Sequence, residues 1–197
     1  MRLKNIGWEV AKRSGFTLME VMAAMVVIAI LMGIIIGAAG PVKKMALRRQ
    51  ASAEISALFL ALKNYQLDNG DYPVMTEIPL QGDIYQGNPD DYIVSAMFLF
   101  SELCRGGVEG ANFLEPAESG VTIYFEPKGS QVGSPDVDSY LQDPFRMAYG
   151  YYYSRERSEK SLFNVVEPDL WSTAGLKETP LDLQDEIYLQ WITNWPN

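Results

Sequence analysis

The 197-residue chain contains no histidine and a single cysteine, Cys104. Without an imidazole it has no serine–histidine or cysteine–histidine nucleophilic pair and no histidine-ligated zinc site. One thiol closes no intrachain disulfide, so no covalent staple supports folding and cysteine use marks no redox compartment. Basic residues are scarce beyond the first third of the chain. Through Gly70 nine basic residues face four acidic ones, whereas residues 71–197 hold seven basic against twenty-one acidic ones. A C-terminal region of that balance repels phosphate, which argues against nucleic-acid binding through it.

Charge is missing altogether from Val21 to Val42, 22 residues dominated by Val, Ile, Leu, Met and Ala. At about 1.5 Å per residue a helix of that length spans roughly 33 Å, close to the ~30 Å hydrocarbon core of a bilayer. The pattern predicts a membrane-spanning helix. A cleaved secretory signal is the competing explanation, with the small residues Gly37 to Gly40 as its cutting site. The apolar run is longer than the about 7 to 15 residues of such a signal, and Pro41 would follow the cut. Arg2, Lys4, Lys12 and Arg13 ahead of the run favour an N-terminus held in the cytoplasm. Lys43, Lys44, Arg48 and Arg49 on the far side weaken that asymmetry without reversing it.

One carboxylate, Glu20, stands at the edge of the apolar run. At mid-bilayer an acidic side chain costs on the order of 2.5–3.5 kcal/mol, and less near the interface. Glu20 therefore either snorkels to the membrane surface or is neutralised by a cation in the finished state. The surrounding residues, Gly-Phe-Thr-Leu-Met-Glu-Val-Met from Gly15 to Met22, follow a short basic leader and precede the apolar run. This stretch resembles the class III signal of type IV pilins and type II secretion pseudopilins. The resemblance implies cleavage by prepilin peptidase between Gly15 and Phe16 and N-methylation of Phe16. It also implies pairing of Glu20, then the fifth residue, with the N-terminal amine of a neighbouring subunit. An internal pair is equally compatible with the spacing, because Phe16 and Glu20 lie one helical turn apart.

Beyond Pro41 the pattern becomes amphipathic. Ile55, Leu58, Phe59, Leu62 and Tyr65 recur at helical spacing, and Arg48, Arg49, Glu54 and Lys63 supply a polar face. These residues predict one long helix from about Phe16 to Leu67, with Gly33, Gly37 and Pro41 as points for bending or local melting. Asp68 to Pro73, Asp-Asn-Gly-Asp-Tyr-Pro, ends it with turn formers and a proline. The stretch from Ala61 to Pro73 resembles the helix end of the major pseudopilins. Relative to a compact pseudopilin, residues 74–140 read as an insertion. Within it, Asn88 as cap, Pro89 and the acids Asp90 and Asp91 start a helix, Gly106 and Gly107 end it, and Ile93, Met97, Phe100 and Cys104 line one face.

Strand signals fall at 121–125, 147–154, 161–166 and 169–173, with turn-rich segments between them. The expected fold is α+β: a long N-terminal helix packed on a small antiparallel C-terminal sheet, pilin-like by the resemblance, with a helix-containing insertion. Residues 1–15 form the leader, 16–42 the transmembrane and assembly helix, 43–70 its amphipathic continuation and 71–197 the acidic globular domain. Tyrosine-rich strands fit either a carbohydrate-binding surface or a half-buried sheet face. Tyr140-Leu141-Gln142-Asp143-Pro144-Phe145 and the passage from Pro168 to Gly175 resemble the Asp-Pro-aromatic turn and the final strand-to-loop passage of the same pseudopilins, although Arg146 stands where those proteins usually carry glycine.

The resemblance also raises calcium, which major pseudopilins hold in a C-terminal loop. Glu178, Asp182, Asp185 and Glu186 are the available carboxylates, with Asp182 and Asp185 the first ligands to test; the family's early loop aspartate falls at about Leu176. A solvated acidic loop without any cofactor is the simpler reading. Asp90 and Asp91 are accounted for by helix capping rather than acid–base catalysis, so no enzymatic activity is expected. The expected function is that of a structural subunit of a type II secretion pseudopilus, built with other pseudopilins on an inner-membrane secretion platform. Its N-terminus is expected in the cytoplasm and its C-terminal domain in the periplasm. A type IV pilin serving adhesion, motility or DNA uptake and a membrane-anchored binding module are the alternatives.

Overall fold

The computed structural model describes residues 15–75, 89–108, 110–134, 138–154, 163–164, 166–176 and 190–195. The chain divides into two compact units, Met1–Lys43 and Lys44–Asn197. Helix α1, Leu18–Asn69, contributes to both. It is helical through Gly33, Gly37 and Pro41, so none of the three melts it. Its end falls where the Asp-Asn-Gly turn predicts. Gly70 takes φ +82°, a left-handed value that only glycine adopts freely, and its N–H donates to the Gln66 carbonyl at 2.8 Å.

In the first unit the apolar side chains of α1 remain exposed, Leu18, Met22, Met25, Val26, Ile30, Ile34 and Ile36 among them. In the second unit Ala51, Ile55, Leu58, Ala61 and Leu62 are buried, while Phe59 and Tyr65 are partly covered. Each Leu or Ile fully buried in this way contributes about 1.5–3 kcal/mol. The helix thus changes from apolar on all sides to apolar on one side, as the sequence pattern predicts.

Helix α2 runs from Ile93 to Cys104, preceded by a 3-10 turn at Pro89–Tyr92. Its N-cap is Tyr92, whose side chain makes no capping bond; Asn88 lies outside the described residues. Ala96, Leu99, Phe100, Leu103 and Cys104 form its buried face, whereas Ile93 and Met97 are only half-buried. The expected stripe is therefore rotated: α2 is apolar nearly all round, and its periodicity does not single out the face that packs. Gly106 and Gly107 end it at φ +68° and +84°, and the Ser101 carbonyl accepts from both Arg105 and Gly107.

Among the described residues five strands form, all short and antiparallel. β1 (Val132–Gly133) pairs with β2 (Tyr140–Leu141). β3 (Gly150–Tyr152), β4 (Asp169–Ser172) and β5 (Ile192–Thr193) form a second sheet in that order. Two expected strand segments are realised in part, 147–154 as β3 and 169–173 as β4. Residues 121–125 form no strand: the Tyr124 and Phe125 N–H groups both donate to the Leu103 carbonyl at the end of α2, at 2.8 and 3.0 Å. Of 161–166, the described residues 163, 164 and 166 are not in a strand. The described fold is α+β, with a long N-terminal helix, a second helix and small antiparallel sheets.

Each sheet contains a glycine facing an aromatic ring on the neighbouring strand. Gly150 is in register with Trp171, and Gly133 with Tyr140. A Cβ on Gly150 would lie 2.0 Å from Cε2 of Trp171, and one on Gly133 would lie 2.1 Å from Cζ of Tyr140. Trp171 is 1 % exposed and stacked on Trp191 at 5.8 Å between centroids, so its ring has nowhere to retreat. Gly150→Ala is expected to cost about 1–3 kcal/mol through overpacking. At roughly 2–4 °C per kcal/mol for a chain of this size, thermal melting should show a Tm lower by about 2–12 °C.

Candidate functional site

Gly15, Phe16 and Thr17 precede α1 in non-helical conformation, and all three are exposed. Phe16 is 87 % exposed, and a Cβ on Gly15 would meet nothing within 4 Å. The bond between Gly15 and Phe16 is therefore open to an enzyme from every side that the described residues define.

Glu20 sits in the first turn of α1 and is held there by Thr17. The Glu20 Oε2 atom accepts from the Thr17 backbone N–H at 2.9 Å and from Thr17 Oγ1 at 3.0 Å. In return the Glu20 N–H donates to Thr17 Oγ1 at 3.2 Å. This is a reciprocal capping box, which satisfies two backbone donors that a helix start leaves open. A negative side chain there also complements the positive end of the helix dipole. Thr17 is the residue that the sequence reading passed over. Its signal was present as Thr-x-x-Glu ahead of an apolar run.

The four carboxylates proposed for calcium, Glu178, Asp182, Asp185 and Glu186, lie outside the described residues. Among the described residues no group of three or more Cys, Asp or Glu side chains is arranged to hold a metal ion.

The tyrosines of residues 147–154 are used internally. Tyr149 and Tyr151 are buried, and their hydroxyls donate to Glu54 of α1 at 2.8 Å and to the Pro73 carbonyl at 2.6 Å. Tyr153 donates to Asp71 at 2.8 Å, and Tyr65 of α1 donates to Glu102 of α2 at 2.8 Å. Burial pushes the Tyr149 and Tyr151 phenols well above their ordinary range, so both remain neutral donors. Three of the four bonds reach α1 or its exit turn. The surface for a sugar that these rings suggested is occupied by the chain's own helix and turn.

Cys104 is buried on α2, and burial pushes its thiol up to about 12. The reactive species is the thiolate. The folded chain should therefore resist iodoacetamide at pH 8 and take up one equivalent only after denaturation, as read by intact mass.

The turn at Asp143 resolves the question raised by Arg146. Arg146 adopts φ +66°, the left-handed conformation that glycine would supply, and its N–H donates to the Asp143 carbonyl at 2.9 Å. Asp143 is 1 % exposed and accepts from the N–H groups of Phe145 and Met147 and from the Ser172 hydroxyl. The geometry is that of a glycine turn, built with an arginine whose side chain is exposed.

Taken together, these features define a chain whose N-terminal helix is long and apolar enough to cross a membrane and whose second unit is a small α+β domain. Residues 10–36 match the family model described as the prokaryotic N-terminal methylation motif. The match supports the type IV pilin and pseudopilin class broadly, and with it processing by prepilin peptidase and assembly into filaments in general. No match was found among curated proteins or among solved structures.

Proposed function

We propose that the chain is a structural subunit of a type II secretion pseudopilus. The N-terminal methylation motif at residues 10–36 supports the filament-subunit part of this reading, which a pilus subunit would share. In it, prepilin peptidase cuts the exposed bond between Gly15 and Phe16, and the new amine of Phe16 is methylated. The helix after the cut stays in the inner membrane until it packs with its counterparts in other pseudopilins on the secretion platform. Glu20 neutralises the amine of a neighbouring subunit. The N-terminus faces the cytoplasm and the acidic domain the periplasm. The role is mechanical rather than catalytic.

Physical arguments support the sequence of events. Before cleavage Glu20 has donors in Thr17 and the helix start. Cleavage places a cation four residues away from it. A cation and a carboxylate that enter an apolar filament core together cost far less than either alone. The Asp68 to Pro73 turn favours the secretion branch over a type IV pilus.

Co-expression with prepilin peptidase tests the reading. A shortened product whose first residue is Phe16, heavier by one methyl group, is the expected result. Recovery of only the full-length chain would sink it.

A further inference from the structure

Helix α1 ends on Asn69, and Gly70 follows it. An asparagine before glycine loses its side-chain amide readily, because glycine places no side chain in the way of its own backbone nitrogen. In that reaction the Gly70 nitrogen gives up its proton and attacks Cγ of Asn69, the Cγ–Nδ2 bond breaks, and ammonia leaves. Water then opens the cyclic imide at either carbonyl, which leaves aspartate or isoaspartate at position 69. Both residues are exposed, and a Cβ on Gly70 would meet nothing within 4 Å, so water has free access.

The fold nevertheless holds the reacting atoms apart. The Gly70 N–H donates to the Gln66 carbonyl at 2.8 Å. The Asn69 Nδ2 amide donates back along α1 to the Tyr65 carbonyl at 2.9 Å, and across to the Tyr124 hydroxyl at 3.0 Å. Attack requires the nitrogen to leave Gln66 and the amide carbon to swing away from Tyr65 and Tyr124. Tyr124 is itself anchored, its N–H on the Leu103 carbonyl at the end of α2 and its ring against that of Tyr65 at 5.1 Å between centroids. Beyond the turn, Asp71 Oδ1 accepts from the Tyr72 N–H at 2.9 Å and the Tyr153 hydroxyl at 2.8 Å. Opening is thereby confined to Asn69 and Gly70, between two anchored flanks. The segment 121–125, which forms no strand, acquires a task at the end of α1.

We propose that Asn69 is a site of spontaneous deamidation latched by Tyr124: it stays an amide while the latch is closed and converts when the end of α1 opens. Neither product restores the original turn. A carboxylate on the last residue of the helix meets the negative end of the helix dipole beside Asp68. Isoaspartate in addition lengthens the main chain by a methylene, which carries the Gly70 N–H out of register with Gln66. The modified fraction of the chains thus keeps a record of opening at the point where α1 hands over to the rest of the domain.

The test uses the full chain in detergent micelles, incubated in mildly alkaline buffer beside the same chain unfolded in guanidinium chloride. Peptide mapping by mass spectrometry reads the conversion of amide to acid at Asn69, and chromatography separates the isoaspartyl product. Three hydrogen bonds have to break in the folded chain, so its conversion is expected to be at least about tenfold slower than that of the unfolded chain. Tyr124→Phe keeps the ring and removes only a surface acceptor. It should speed conversion of the folded chain about two- to tenfold and leave the unfolded rate unchanged. Gly150→Ala, which weakens the sheet at Trp171 and leaves the turn alone, should convert at the wild-type rate. Equal rates in folded and unfolded wild type overturn the proposal without any variant. A Tyr124→Phe rate equal to that of wild type also overturns it, since the hydroxyl is then no latch. Acceleration by Gly150→Ala as large as that by Tyr124→Phe does so too, because conversion would then pass through unfolding of the whole unit.

Discussion

Glu20→Ala should leave cleavage after Gly15 largely intact while filaments fall below detection in the sheared fraction. The reason is a charge left alone. Cleavage creates an amine at Phe16, and packing of N-terminal helices carries it into an apolar layer. An unpaired ionised group there costs on the order of 2.5–3.5 kcal/mol. Charged to a single subunit contact, that penalty lowers the association constant by about 100-fold. The same glutamate also completes the capping box with Thr17, whose loss costs about 1 kcal/mol. Two further variants separate these contributions. Glu20→Gln keeps an oxygen that can accept from Thr17 but has no charge. Thr17→Val removes the hydroxyl and keeps the charge. If charge pairing governs assembly, Glu20→Gln fails as completely as Glu20→Ala and Thr17→Val still assembles. The opposite ranking would assign Glu20 a capping role only.

Asp143→Ala should destabilise the second unit by about 2–4 kcal/mol. Its carboxylate gathers two backbone N–H groups and the Ser172 hydroxyl, and Ser172 Oγ in turn accepts from the Ala174 N–H at 3.0 Å. Alanine strands these donors in a region where Ser172 and Thr173 have no exposure. Each stranded donor costs about 1–3 kcal/mol, and the sum is reduced by relaxation. The midpoint of urea unfolding should fall without a change in its slope. Burial also pushes the Asp143 carboxyl above its ordinary value, against the pull of its hydrogen bonds. The folded chain then binds this proton more tightly than the unfolded chain. The stability linked to it is fully present below the ordinary aspartate range and is lost as pH rises through the raised folded value. Asp143→Asn should abolish that component of the pH profile. An unchanged profile would place the titration elsewhere.

An element is legible in the sequence when the pattern that specifies it is local. Helix α1 was readable because its signals are local: an apolar run, a one-sided stripe and an Asn-Gly turn. The capping box is equally local, a Thr-x-x-Glu pattern from Thr17 to Glu20, but the charge of Glu20 in an apolar run masks it. β1, β2 and β5 have two residues each, too few for alternation to register. Residues 121–125 have β-forming side chains, but their amides are taken by the end of α2, a contact that only tertiary structure brings about. Arg146 shows the reverse case. The expected glycine turn forms without the glycine, because Asp143 supplies enough hydrogen bonds to hold an arginine at positive φ.

The stacking of Trp171 on Trp191, with Trp195 edge-on to Trp171 at 6.1 Å, has an optical consequence. The chain has four tryptophans, and the fourth, Trp8, lies in the segment that the proposed cleavage removes. Tryptophan emission from the mature subunit, excited selectively over tyrosine, would then come entirely from one buried cluster around β4 and β5. It would follow unfolding of that sheet while staying blind to the helix in the membrane, a reporter supplied by the protein without any label.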